Sequence, residues 1–417
     1  MNIKKIKAIR VFDSRGIPTL KTFVYTNHHI TGASVPSGTS AGHKEAVELR
    51  DNTKALFGKD VTKAIKNVNN IIGPRLEGEF LLDQTRIDNL MIELDGTNNK
   101  SRLGSNAILS VSEAVCRAAS KEIEIPLYQY VARLNNKKAD KKTPFPKPLL
   151  NIINGGEHAG SDLAFQEFQI LPKKKKISDN IMISAEIYLQ LKEIISKKYG
   201  ASSINVGYEG GFAPNITDPK VALDLIEKAI KKAGCSKEVS LGLDCAANSF
   251  YNPKSKKYFI NNKQYASSQL LEYYANLLKN YKQLKSIEDP FYEEDKNSWK
   301  EFTKKYSSKI NIIGDDLLVT NPKLIKEGIQ KKYCNSLLLK PNQIGTITES
   351  IKAFNLAKAN DWKVIVSHRS GETEDSFISD FAFGVFSDYV KFGAPARSDR
   401  NAKYNRLLEI EEVFLER

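Results

Sequence analysis

From residue 238 onward one pattern recurs: a short apolar run ends on a polar residue, and a segment of helical character follows. The run ends are EVSLGLD at Asp244, LKSIE at Glu288, INIIGD at Asp315, SLLLK at Lys340 and KVIVSH at His368, spaced by 44, 27, 25 and 28 residues. Continuous apolar strands at this repeat length are βα units of a parallel sheet covered by helices. The longer first gap contains NPKSKKYFINNK, read as an inserted polar hairpin. Asn321-Pro322 opens one intervening helix, with Gly328 near its end, and Thr346 with Glu349 forms a capping box for the next. Neither a dinucleotide glycine fingerprint nor a P-loop follows any strand, so a (β/α) barrel is expected rather than a doubly wound nucleotide fold.

In such a barrel, catalytic groups gather at the C-terminal strand ends. Asp244, Glu288 and Asp315 would then converge with Lys340 and His368 at one mouth. Three converging carboxylates repel one another, and oxygen-only ligation points to Mg²⁺ or Mn²⁺. The alternative is that each acid caps a helix. Lys340, at the end of a packed strand, either snorkels to water or stays buried, loses basicity and becomes a candidate general base.

Two more acids stand out. In LAFQEFQIL, Glu167 and Gln169 share one face of an alternating strand, which could also be an exposed edge. In NVGYEGGFAPN, Glu209 sits among glycines that let backbone approach a ligand, unless this is a plain surface turn. His368, Arg369 and Ser370 stand together at a strand end, where guanidinium and hydroxyl donors suit a phosphate. PSGTSAGHKE, residues 36–45, is a small-residue loop with the character of a mobile lid.

The first 140 residues differ in texture. LKTFVYT suggests two or three antiparallel strands, SNAILSVSEAVCRAASKE a closely packed small-residue helix, and NNKKADKKTPFPKP a boundary near residue 140. Residues 1–140 are therefore read as an α+β domain and 141–417 as the barrel.

Four scattered cysteines without a CxxC argue against a zinc site or a disulfide framework. The excess of 63 basic over 49 acidic residues lies along the chain in a Lys-, Asn- and Ile-rich composition typical of A/T-rich coding sequence. With no nucleic-acid motif beside it, nucleic-acid binding is not expected, although the field should attract an anionic substrate. Neither a signal core at the N-terminus nor a run of membrane-spanning length is present in the sequence, which predicts a cytoplasmic protein with no membrane association.

Through DSRGIPT, VPSGTSAGHKEAVELRD, LDGTNNKSRLGSNAILSVS, NIINGGEHAG, FQEFQI, LDCAA, SIEDPF, GDDLLVTNP, LLLKPNQIGTITES, SHRSGETED and GAPARSDR, the chain resembles the enolase family over essentially its whole length. The resemblance implies an α/β fold: a modified (β/α)8 TIM-type barrel whose second strand runs antiparallel, preceded by a smaller α+β domain. It implies reversible dehydration of 2-phosphoglycerate to phosphoenolpyruvate in glycolysis, with two Mg²⁺ per active site when substrate is bound. Asp244, Glu288 and Asp315 would hold the first Mg²⁺ and Ser40 the second. Lys340 would take the C2 proton, and Glu209, assisted by Glu167, would protonate the departing C3 hydroxyl. Arg369 and Ser370 would hold phosphate and Lys391 the carboxylate, with His158 and His368 lining the pocket. A Lys base beside Mg²⁺ is a pattern known for this superfamily, and cationic metal would lower the pKa of Lys340.

A homodimer is also implied, with Lys21 and Glu409 standing where the family has a reversed intersubunit ion pair. Departures from the family pattern are Tyr208 before Glu209, Phe392 after Lys391, Pro341, Ile17 and an early end at Arg417. Competing readings are another superfamily dehydratase acting on an acid sugar, and a non-catalytic protein that binds RNA or another anion through its positive charge.

Overall fold

The computed structural model describes residues 1–38 and 44–416. The chain begins with three antiparallel strands, β1 (Lys5–Phe12), β2 (Pro18–Tyr25) and β3 (Ile30–Ser34), paired in sequence order. The DSRG turn between the first two is set by Asp13, whose Oδ1 accepts the backbone N–H of Arg15 and Ile17 at 2.8 and 2.9 Å. Leu20, Thr22 and Val24 alternate onto one face of β2 and are fully covered. Against that sheet lies the helix Ser105–Glu122, most of whose residues are buried. Its many Ala and Ser residues let the sheet approach closely enough for Thr22 and Ser110 to bond at 2.7 Å in the interior, a contact that contributes about 0.5–1.5 kcal/mol net.

The barrel is closed by eight strands: β4 (Lys147–Asn154), β5 (Glu167–Pro172), β6 (Val239–Asp244), β10 (Leu284–Glu288), β11 (Asn311–Gly314), β12 (Ser336–Leu339), β13 (Lys363–Ser367) and β14 (Tyr389–Lys391). The inserted segment is a three-stranded meander, β7 (Tyr251–Asn252), β8 (Lys257–Ile260) and β9 (Lys263–Tyr265), one strand more than the hairpin expected. β5 runs antiparallel to both neighbours, whereas every other adjacent barrel pair is parallel. The reversal has a consequence for chemistry. It brings the first residue of β5, Glu167, into register with Asn154 and Asp244, the last residues of its neighbours.

Side chains inside the barrel stack in layers along each strand. Leu149, Leu171, Ile313, Leu338 and Ile365 make a separate apolar floor. Two residues further up each of these strands stand Asn151, Gln169, Asp315, Lys340 and Ser367, so the interior turns polar toward the mouth.

Helix boundaries follow local chemistry. Asn321 caps the helix Pro322–Lys331 by accepting from Lys323 N–H, and Gly328 lies near its end, where a Cβ would stand 3.1 Å from Leu318 and 3.2 Å from Trp362. Thr346 caps Ile347–Lys358 through the Glu349 N–H. The return bond of a capping box is replaced by a hydroxyl bond to the Glu349 carboxylate at 2.7 Å.

The N-terminal domain is joined to the barrel by polar contacts. Asp88 accepts from the Thr348 N–H and hydroxyl at 2.9 and 2.6 Å, Lys100 pairs with Glu349, and Ser37 bridges to Gly371 beside the mouth. Lys21 packs over the Phe23 ring, and Glu409 pairs with Arg406 three residues away. Among the described residues no helix is long and apolar enough to cross a membrane.

Candidate active site

Asp244 and Glu288 end adjacent parallel strands in direct register. Between them lies the Lys391 ammonium, 2.9 Å from Asp244 Oδ2, 2.9 Å from both Glu288 oxygens and 3.2 Å from Glu167 Oε1. All four side chains are buried. Burial opposes the Lys391 charge, but Asp244, Glu167 and Glu288 together hold its pKa well above the usual lysine value. Burial and then the Asp244 charge push Glu288 well above the carboxylate range. Three carboxylates thus share one ammonium, a cluster short of positive charge that a further cation would relieve.

Asp315 follows β11 and is aimed by three partners. Its N–H bonds to Asp289 Oδ1 at 3.0 Å, Gln343 donates to its Oδ1 at 2.9 Å, and Lys340 Nζ lies 2.5 Å from its Oδ2. Lys340 is largely buried, so it does not snorkel. Its pKa runs opposite to expectation: burial pulls it down, yet the adjacent Asp315 charge prevails and raises it above the ordinary lysine value. Asp315 is lowered in turn, its burial outweighed by Lys340.

The strand carrying Glu167 is buried at every position, which removes the exposed-edge reading. Glu209 is likewise 2% exposed rather than on a surface turn. Gly207 allows this loop to lie against the end of β4, because a Cβ there would stand 2.5 Å from the His158 carbonyl. Glu209 Oε1 lies 3.5 Å from His158 Nδ1 and 3.3 Å from His368 Nε2, and Oε2 accepts from Asn151 at 3.0 Å. Burial opposes its charge, but the two imidazoles and Arg400 hold its pKa well below the usual range. Glu167 is pushed well above that range by burial and by the Glu209 charge. The two acids are thus pushed in opposite directions, Glu167 toward its neutral form and Glu209 toward its charged one. His158 is lowered by burial, and His368, by the same cause, to about 3.

Tyr208, next to Glu209 in the chain, is turned outward. Its side chain is 40% exposed, with the Arg15 guanidinium 6.0 Å from the ring. Phe392 is fully buried, 5.8 Å from the Tyr404 ring, and leaves Lys391 among its carboxylates.

Arg369 and Ser370 line the same pocket as Lys340, Glu167, Glu209, Asp244 and Lys391. Arg369 Nη1 binds Glu45 Oε2 at 2.9 Å, which marks an oxyanion position on the guanidinium. Glu45 belongs to the expected lid loop. Ser40, assigned to a second metal, falls in residues 39–43, outside the described residues.

Several contributors were not singled out from the sequence. Arg400, fully buried, donates to the carbonyls of Arg369, Ser370 and Tyr208 at 2.7, 2.6 and 3.0 Å, and to His368 Nδ1 at 2.6 Å. Since guanidinium only donates, Nδ1 is the accepting nitrogen and the imidazole proton sits on Nε2, toward Glu209. Asp289 holds the Asp315 and Asp316 N–H groups. A buried arginine in ARSDR has no periodic signal of its own, whereas the second acid of SIEDP could have been flagged beside Glu288.

Potential ligand atoms within 4.8 Å of one another occur in His158–Glu167–Glu209 and in Asp289–Asp315–Asp316 among the described residues. The expected trio of Asp244, Glu288 and Asp315 is arranged instead around the Lys391 and Lys340 ammonium groups. An all-oxygen donor set already gripping cations fits a hard divalent ion. The family described as "Enolase, N-terminal domain" matches residues 3–131, and "Enolase, C-terminal TIM barrel domain" matches residues 142–417. A closed barrel with its second strand reversed, entered through an acid-and-lysine mouth and preceded by a small α+β domain, thus agrees with both matches: the chain belongs to the enolase family, within the dehydratase class.

Proposed function

We propose that this protein catalyses the reversible Mg²⁺-dependent dehydration of 2-phospho-D-glycerate to phosphoenolpyruvate, the glycolytic step. The observation that carries this reading is one pocket lined by a buried lysine, a buried acid pair and the phosphate-type donors Arg369 and Ser370. A phosphate-free acid sugar would have no use for that last pair.

Asp244, Glu288 and Asp315 would hold one Mg²⁺, and Ser40 would contribute to a second. When bound, Mg²⁺ supplies Lewis-acid stabilisation of the negative charge that builds on the substrate carboxylate. Lys391 would add its ammonium to the same carboxylate. Arg369 and Ser370 would orient the phosphate, which exchanges with the Glu45 carboxylate on the guanidinium. Lys340, in its neutral form, takes the C2 proton at Nζ. The C3–O bond breaks as the Glu209–Glu167 pair delivers one proton to the departing hydroxyl, releasing water and leaving the C2–C3 double bond. His158 and His368 keep Glu209 in place. A homodimer belongs to the same proposal, and light scattering at micromolar concentration would distinguish it from a monomer.

The test is to mix the protein with 2-phosphoglycerate and follow the ultraviolet absorbance of the enol phosphate. Turnover is expected with Mg²⁺, to stop on adding excess chelator, and to be absent in Asp315→Ala. Undiminished turnover in chelator would overturn the metal assignment.

A further inference from the structure

Asn151 and Gln169 face each other across β4 and β5, inside the barrel and below the acid pair. Both are fully buried. Asn151 Nδ2 donates to Glu209 Oε2 at 3.0 Å, and Gln169 Nε2 donates to Glu167 Oε2 at 2.9 Å. Each amide engages the second oxygen of one acid and leaves the first for the pocket. Glu209 Oε1 faces His158 and His368, while Glu167 Oε1 faces His158 at 3.6 Å and Lys391 at 3.2 Å.

The amide oxygens, Asn151 Oδ1 and Gln169 Oε1, have no hydrogen-bond partner among the described residues. A buried, unpaired carbonyl destabilises a fold, and Leu or Met of similar volume would avoid that cost. Two polar side chains therefore sit in the barrel interior, with their side-chain bonds directed to the two acids. An amide is suited to this place because it donates without carrying charge.

We propose that Asn151 and Gln169 are a positioning pair that fixes the rotamers of Glu209 and Glu167. The inference rests on the assignment of those acids to departure of the C3 hydroxyl. Asn151→Leu is expected to lower product formation by about 10- to 100-fold, as displacement of a reacting group by an ångström does, while KM and C2 deuterium wash-in stay within about threefold. Gln169→Met is expected to lower product formation by about tenfold, since it loosens the assisting acid. Both variants should still unfold in one cooperative urea transition, so that the kinetic changes are read on folded protein. Crystal structures should show the Glu209 carboxylate moved from His158 in the first and Glu167 moved in the second.

Carboxylates that stay in place, or wash-in and product formation falling together, would overturn the proposal. If Asn151→Leu does not fold, Asn151→Ala carries the same expectations. If the unaltered protein neither washes in deuterium nor forms enol phosphate, the functional reading fails instead, and the carboxylate positions alone decide for or against the pair.

Discussion

Deuterium wash-in at C2 of 2-phosphoglycerate is expected to vanish in Lys340→Ala and to survive in Glu209→Gln, while neither variant forms phosphoenolpyruvate. The two side chains occupy separate parts of the pocket: Lys340 is engaged by Asp315, and Glu209 by His158, His368 and Asn151. Removing the lysine deletes the proton acceptor. Replacing Glu209 by its amide leaves that acceptor and the carboxylate cluster around Lys391 intact. Each loss should reach several powers of ten, since one positioned acid or base contributes roughly 10²- to 10⁴-fold and groups acting as a unit contribute more. NMR in heavy water reads the wash-in directly. Exchange that persists in Lys340→Ala and disappears in Glu209→Gln would mean that base and acid are interchanged.

The second large effect is expected at Arg400. Replacing it with Met leaves three carbonyls and His368 Nδ1 without their donor, and Asp399, 2.8 Å from its Nε, with Arg397 as its remaining counter-charge. Stripping one partner from such a buried network costs about 3–5 kcal/mol of unfolding free energy. Arg400→Lys keeps the charge but loses the planar fork, so it should recover only part of that stability. Function should fall for a separate reason, because the His368 ring loses the contact that places its proton on Nε2. Urea unfolding measures the first effect, and ¹⁵N shifts of the His368 ring measure the second. A change below about 1 kcal/mol in Arg400→Met, the size of an exposed ion pair, would refute the role given to this network.

Much of this arrangement is legible in local order along the chain. Apolar runs too short for helices and ending on Asp244, Glu288, Asp315, Lys340 and His368 have one economical packing, a parallel barrel with its polar ends at one mouth. Alternation in FQEFQIL correctly pairs Glu167 with Gln169 on one face, because strand side chains repeat every second residue. Asn321 and Thr346 cap their helices as read, since a cap is a bond between residues two or three apart. Local order also misses detail. The inserted hairpin has a third strand, and Gly328, which does lie near its helix end, is also where a Cβ would crowd Leu318 and Trp362.

What tertiary structure alone decides is which side chains meet across the closed barrel. The resemblance assigns Lys391 to the substrate carboxylate, but not to a place among Asp244, Glu288 and Glu167, residues more than a hundred positions away. Nor could burial by itself predict the direction of the Lys340 pKa. Desolvation lowers it, but a carboxylate at 2.5 Å outweighs desolvation, and that distance exists only once β11 and β12 are side by side. Asn151 reaches Glu209, and Arg400 reaches His368, through the same closure. Periodicity is a property of one strand or one helix, so it determines the face each residue presents. Contact depends on strand order, register and the reversal of β5, and these are fixed by packing the whole chain around one interior.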